Sequence, residues 1–106
     1  MKKLFTLLAL TISFSMNAQM SDNSANNNSA GSNAVAMGDS TIASGTAATA
    51  MGLYTIASGS SSTAMGAFTE ASISYSTAMG RNTTAIATSS TAMGRGTTAS
   101  GEESTA

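Results

Sequence analysis

The tripeptide Ala-Met-Gly returns every fourteen residues along this chain. It begins at residues 36, 50, 64, 78 and 92, so five units follow one another without a slip in register. Helical repeats need about 33 residues or more per unit, and leucine-rich repeats about 20 or more. Fourteen residues are too few for either, but they fit two short strands and two tight turns. The repeat therefore predicts an all-β parallel solenoid with one coil per unit.

The glycines of the first two units suggest where each coil turns. Gly38, Gly45, Gly52 and Gly59 lie seven residues apart. Because glycine adopts positive φ without steric cost, this spacing predicts one glycine turn per half-coil. Neighbouring coils of such a solenoid stack about 4.8 Å apart through parallel backbone ladders.

Alternation along the strands assigns the interior of the roll. Side chains two residues apart share a face of a strand, and one face of each predicted strand carries only small residues. A fourteen-residue coil has a narrow interior, which only small side chains can fill. The alanines expected there are Ala36, Ala43, Ala50, Ala57, Ala64, Ala71, Ala78, Ala85, Ala92 and Ala99.

The opposite face of the first strand carries a row of larger apolar side chains. A contiguous exposed apolar ridge usually marks an interface, and an alanine-filled roll buries little apolar area of its own. We therefore expect this row to pack between subunits. The residues expected at the interface are the five methionines of this row together with Val35 from the adjacent Val/Thr column: Val35, Met37, Met51, Met65, Met79 and Met93.

The first 32 residues lie outside the predicted repeat. Lys2 and Lys3, the apolar run Leu4–Phe14 and a short polar stretch ending at Ala18 form the three regions of a secretory signal peptide. Residues 1–18 are thus expected to be removed on export. Residues 19–32 are rich in Asn and Ser and predict a flexible linker. The repeat domain then occupies residues 33–106.

Composition argues against catalysis and against several classes of ligand. The chain has no His and no Cys, which removes the usual general base and the commonest metal ligands. After removal of residues 1–18, two arginines remain against five acidic residues, so no basic patch predicts nucleic-acid binding. We expect no enzyme activity, no cofactor and no metal, and we interpret the Met row as packing rather than a soft-metal site.

The repeat resembles the head repeats of the trimeric autotransporter adhesins, the YadA-like heads. Asn33-Ala34-Val35-Ala36-Met37-Gly38, followed by Ile42-Ala43-Ser44-Gly45, is the best match to the family's unit. The resemblance implies a left-handed parallel β-roll that forms a homotrimer, with the family's Val and Ile columns at the trimer interface. In this chain Thr and Met replace most of the family's Val and Ile.

The resemblance also implies a function. It predicts a module secreted through the Sec pathway and displayed at the outer membrane of a diderm bacterium, where it attaches to host matrix, cells or other surfaces. The chain stops in mid-repeat at Ala106, so we expect a fragment whose membrane contact depends on a C-terminal anchor beyond it. One alternative is the structural stalk of a secreted tail-fibre-like protein with a C-terminal chaperone domain.

A second alternative is an ice-binding solenoid. Such proteins present paired ranks of Thr on a flat sheet. The chain has two Thr columns, which begin at Thr41 and Thr49, but neither forms a Thr-x-Thr pair. Single ranks of Thr fit stacking down the roll better.

Side chains that vary between units are the candidate ligand contacts. Exposed aromatic residues and arginines are common at interaction surfaces. The candidates are Tyr54, Phe68, Tyr75, Arg81 and Arg95, although such residues are also ordinary at turns.

Overall fold

The computed structural model describes residues 27–106, which form a parallel β-solenoid of about five coils. Each coil contributes one strand of five residues and one of two residues. The long strands are β1 (Val35–Asp39), β3 (Thr49–Leu53), β5 (Thr63–Ala67), β7 (Thr77–Arg81) and β9 (Thr91–Arg95). The short strands are β2 (Ile42–Ala43), β4 (Ile56–Ala57), β6 (Glu70–Ala71), β8 (Thr84–Ala85) and β10 (Thr98–Ala99).

The strands form two five-stranded parallel sheets in simple sequence order. The long strands follow the order β1-β3-β5-β7-β9, and the short strands follow the order of their coils. The register advances by fourteen residues per coil, so that Ala36 pairs with Ala50 and Met37 with Met51. The predicted fourteen-residue β-coil is therefore confirmed, and identical residues lie in rows along the roll.

Small side chains fill the space between the two sheets. All ten alanines expected there are buried, with at most 2% of their surface exposed. Threonines 41, 55, 69 and 83 are buried beside them, as are Ala48 and the serines that follow it in the same column. Threonine is the largest side chain that is fully buried. The roll is thus a narrow structure with little apolar core of its own.

Buried hydroxyl groups in the roll differ in their hydrogen bonding. Ser62 and Ser90 each donate to the carbonyl oxygen three residues earlier, at 2.7 Å in both cases. The Oγ1 atoms of Thr55, Thr69 and Thr83 have no hydrogen-bond partner among the described residues. A buried hydroxyl without a partner costs stability. Ser62 and Ser90 therefore support the fold better than these three threonines do, whereas Ser104 at the end of the serine column also lacks a partner among the described residues.

The turns are built on positive φ, but mostly at residues other than glycine. Every seventh residue from Asn33 to Glu103 has φ between 52° and 68°, which is the left-handed region, and only Gly96 among them is a glycine. The set is Asn33, Ser40, Ala47, Tyr54, Ser61, Phe68, Tyr75, Asn82, Ser89, Gly96 and Glu103.

The glycines at positions 38, 45, 52 and 59 were predicted to adopt positive φ. That prediction is right for the column of Gly38 and Gly52 and wrong for the column of Gly45 and Gly59. Gly38 and Gly52 have φ of 123° and 120°, a region that favours glycine. Gly45 and Gly59 do not have positive φ. A Cβ atom at Gly45 would instead lie 2.0 Å from the carbonyl oxygen of Gly59 in the next coil. Glycine fits these early coils because they approach each other closely, not because the chain needs positive φ there, and the same column carries Ile73 and Ala87 in later coils.

The roll begins before the residue at which the repeat was expected to start. Asn28 forms a parallel bridge with Ile42, and the Gly31 amide donates to the Ala43 carbonyl at 3.2 Å. Residues 27–32 thus belong to a partial coil and differ from the predicted flexible linker. The predicted signal peptide, residues 1–18, and residues 19–26 of the predicted linker lie outside the described residues.

Asn27 caps the threonine column at this end of the roll. Its Oδ1 accepts hydrogen bonds from the Thr41 amide at 3.0 Å and from the Thr41 hydroxyl at 2.8 Å. Its Nδ2 donates to the Gly38 carbonyl at 2.8 Å. Asn27 occupies the position fourteen residues before Thr41, where it gives Thr41 the partner that Thr55, Thr69 and Thr83 lack.

Candidate binding surfaces

The outer side of the long-strand sheet, which we call the methionine face, carries two rows of outward side chains. One row contains Val35 and the threonines that begin at Thr49, and the other contains the five methionines. Val35, Met37, Met51, Met65 and Met79 are half-buried, and Met93 in the last long strand is 47% exposed. The residues expected at a subunit interface therefore lie together on one face, and neither row includes a charged residue.

One turn edge of the roll, which we call the arginine edge, lies where each long strand turns into the following short strand. It consists of residues 39–40, 53–54, 67–68, 81–82 and 95–96. Tyr54 and Phe68 are fourteen residues apart and stack with ring centroids 5.3 Å apart and an interplanar angle of 12°. Both rings are about half exposed, at 52% and 49%. The spacing of the coils thus produces a solvent-facing aromatic pair.

Two arginines continue the arginine edge beyond the aromatic pair. Arg81 and Arg95 are register partners in β7 and β9, and both are exposed. Their column also contains Asp39, Leu53 and Ala67. Among the described residues, neither guanidinium group has an ion pair or a side-chain hydrogen bond. Two like charges thus lie on adjacent strands with no counter-charge, an arrangement that is destabilising in a sheet.

Tyr75 lies on the opposite turn edge, where each short strand leads into the next long strand. It is 64% exposed with φ of 61° and is separated from Phe68 by half a coil. The five candidate contact residues therefore do not form one site. Four of them lie along the arginine edge, and Tyr75 lies apart from them.

Three of the four acidic residues in the described part of the chain lie on other parts of the surface, and Asp39 lies at the far end of the arginine edge. Glu70 lies on the outer side of the short-strand sheet, where it accepts a hydrogen bond from the Ser72 hydroxyl. Glu102 and Glu103 are exposed on the opposite turn edge. No group of three acidic, His or Cys side chains within residues 27–106 is close enough to hold a metal ion.

The two threonine columns face in different directions. Thr41, Thr55, Thr69 and Thr83 are at most 1% exposed and point into the roll, whereas the column that begins at Thr49 is half-buried on the methionine face. Only one threonine rank is therefore available at the surface. This arrangement does not favour the ice-binding alternative, which needs paired ranks on one sheet.

The geometry of the roll defines a class of protein. Narrow coils and surface side chains at fixed intervals describe a repeat solenoid that presents surfaces for contact. No helix among residues 27–106 has the length and apolar character required to cross a membrane.

Comparison with known families identifies the repeat. The family model of the YadA head domain repeat, which spans two copies, matches residues 29–55, 57–83 and 85–106. Successive matches begin 28 residues apart, which is two coils, and together they cover more than two thirds of the chain. The chain belongs to the YadA head domain repeat family, which is a family of adhesin domains and not of enzymes. Searches of curated proteins and of solved structures found no match.

Proposed function

We propose that this chain is the head segment of a secreted trimeric adhesin that attaches its cell to host matrix, to other cells or to abiotic surfaces. The observation that carries the proposal is the family match, which extends over almost the whole roll. Two features of the surface support it. The roll offers two adjacent rows of uncharged side chains suited to self-association, and the neighbouring turn edge carries exposed aromatic and arginine side chains.

The methionine face is the proposed subunit interface. The interior contains only Ala, Ser, Thr and Gly side chains, so the roll gains little free energy from its own core. The five methionine side chains extend along four coil spacings, about 19 Å at the usual strand separation. Burying this row between copies would add apolar area where the single roll lacks it. We assign a homotrimer and a left-handed coil to this chain from the family.

Export follows from the proposed role at a surface. Residues 1–18 have the three-region pattern of a Sec signal peptide. We place the mature head outside the outer membrane of a diderm bacterium, held there by an anchor beyond the repeat. The ligand on the target surface is a matrix or cell-surface component.

A bead-adhesion assay tests the proposed function. Beads coated with the purified full chain would be washed over immobilised matrix proteins, cultured cells and bare polystyrene. We expect saturable retention on at least one surface, and a loss of retention with heat-unfolded protein. Met65→Asp should also weaken retention, because separation of the subunits removes multivalent contact. An oligomeric chain that binds none of the surfaces would contradict the adhesin function and would indicate a structural spacer.

A further inference from the structure

We infer that the arginine edge is a binding site for acidic polysaccharides, chains of sugar rings that carry carboxylate or sulfate groups. The inference rests on the proposed function and deepens it, because it names the chemistry of the ligand. It is carried by the juxtaposition on one edge of an exposed aromatic pair, Tyr54 and Phe68, with two unpaired arginines, Arg81 and Arg95.

The charge distribution selects an anion as the ligand. Residues 27–106 contain two arginines and four acidic residues, and both arginines lie on this edge. Of the acidic residues only Asp39 shares the edge, and it lies three coils away from Arg81. Adjacent like charges repel each other in a parallel ladder, and a guanidinium group binds carboxylate and sulfate oxygens with paired hydrogen bonds. An anionic ligand would therefore relieve this repulsion while forming strong contacts.

The backbone of the edge argues against an extended peptide as the ligand. A peptide that adds to an edge as a strand needs free backbone donors and acceptors. Here the amides of Tyr54, Phe68, Asn82 and Gly96 each donate to a carbonyl of the preceding coil, all at 2.9 Å. Recognition at this edge is thus left to side chains. A ligand that brings its own hydroxyl groups and acids suits such a surface better than a polypeptide does.

The shape of the site suits a polymer. From Tyr54 to Gly96 the edge crosses three coil spacings, about 14 Å at the usual strand separation. Tyr54 and Phe68 are each about half exposed, and the Tyr54 ring with its hydroxyl group can contact both the apolar and the hydroxyl-bearing parts of a ligand. A polysaccharide lying along the roll can meet the aromatic pair with one part of its chain and both arginines with the next.

Matched substitutions isolate the arginines from general charge effects. Arg81→Ala combined with Arg95→Ala should preserve the fold, because Ala67 occupies the same column. Thr46→Glu combined with Thr88→Glu changes the net charge by the same amount on the opposite edge, in the column that already carries Glu102. Far-ultraviolet circular dichroism and light scattering on each sample would verify that fold and mass are retained.

A second pair of variants tests the aromatic contacts. Tyr54→Asn and Phe68→Asn keep a residue that tolerates left-handed backbone, because Asn82 occupies the same column with φ of 54°. Tyr75→Asn is the matched control on the opposite edge, where Asn33 occupies the equivalent position with φ of 57°.

The test measures binding of the purified full chain to four polymers by biolayer interferometry. They are heparin, which is sulfated; polygalacturonate, which carries carboxylates; dextran, which is neutral; and polyglutamate, which is an acidic peptide. We expect binding to heparin and polygalacturonate, none to dextran, and affinity for polyglutamate at least about tenfold weaker. The double arginine variant should lose at least about tenfold in affinity. The combined Tyr54→Asn and Phe68→Asn variant should lose a few-fold, and both controls should bind like wild type.

Three results would overturn the inference. They are unchanged binding by the double arginine variant, an equal loss in the Thr46→Glu and Thr88→Glu control, and polyglutamate binding as tight as that of the polysaccharides. The proposed adhesin function is judged separately by the bead assay. Retention on surfaces without any polysaccharide affinity would remove this inference and leave the function standing, whereas a failure on every surface would remove the function itself.

Discussion

Replacement of Gly66 by alanine should destabilise the roll far more than an ordinary Gly-to-Ala change. Gly66 lies in β5, in the middle coil, and has φ of 120°. A Cβ atom there would lie 2.0 Å from the carbonyl oxygen of Gly80, whereas real Cβ atoms essentially never approach closer than 3.0 Å. The two coils would therefore have to separate locally by about 1 Å.

The size of the effect follows from two contributions. A side chain forced into so unfavourable a backbone region costs about 1–3 kcal/mol. Separation of the coils weakens adjacent ladder hydrogen bonds, each with a net value of about 1 kcal/mol. We expect a loss of about 3–5 kcal/mol, a large part of the 5–15 kcal/mol that is typical of whole domains.

Gly96→Ala is the matched control. Gly96 has φ of 68° and no atom within 4 Å of the position of an added Cβ, and Ala47 adopts a similar φ of 55° elsewhere in the roll. The cost should be about 1 kcal/mol. Guanidinium chloride unfolding followed by circular dichroism, at one fixed protein concentration because the chain is expected to oligomerise, would measure both variants. Equal losses for the two variants would refute the close approach of the coils at Gly66.

Two further substitutions test the interior, each by the same unfolding measurement. Ala64→Val overpacks a fully buried position and should cost about 2 kcal/mol, whereas Thr98→Val on the exposed outer side of the short-strand sheet should change stability by less than about 0.5 kcal/mol; similar values would contradict the assignment of faces. Thr69→Val removes a buried hydroxyl without a partner and should stabilise by about 1 kcal/mol. Thr41→Val removes a hydroxyl bonded to Asn27 and should destabilise, so a loss in both variants would mean that the Thr69 hydroxyl has a partner.

The architecture could be predicted from the repeat because every coil has the same length and pairs with the next coil in the same register. The rules that place one residue in one coil therefore place its counterparts in all the others. A fourteen-residue period specifies which residues become neighbours, so the pairing of Ala50 with Ala64 and of Met51 with Met65 follows directly. The narrowness of the coil then requires small residues inside. Alternation along the strand separates the alanine column from the methionine column without any knowledge of the loops.

The turns were harder to predict because two physical causes produce the same residue. Glycine appears where positive φ and a close neighbouring backbone occur together, as at Gly52, and where only the backbone comes close, as at Gly45. A sequence does not distinguish these causes. The left-handed positions at Tyr54 and Phe68 carry no glycine, because a single left-handed residue costs only about 1–2 kcal/mol and the stacked coils on either side fix the turn.

The candidate binding site was predicted only in part. Tyr54 and Phe68 are fourteen residues apart, as are Arg81 and Arg95, so the period itself indicates that each pair lies on neighbouring coils. Tyr75 is seven residues from Phe68, which is half a coil, and this spacing could have separated it from the others. Asn27 could not have been recognised as a cap, because it precedes the first complete unit and its role depends on side-chain hydrogen bonds to Thr41.

The mass of the chain in solution tests the central claim most directly, namely that the methionine face joins the subunits of an adhesin head. Multi-angle light scattering would be measured on the full chain, on Met65→Asp and on Ile42→Asp, which places the same charge on the outer side of the short-strand sheet. We expect a trimer for wild type and for Ile42→Asp, and a smaller species for Met65→Asp. A folded, β-rich monomer for wild type, or a trimer that persists in Met65→Asp, would contradict the account.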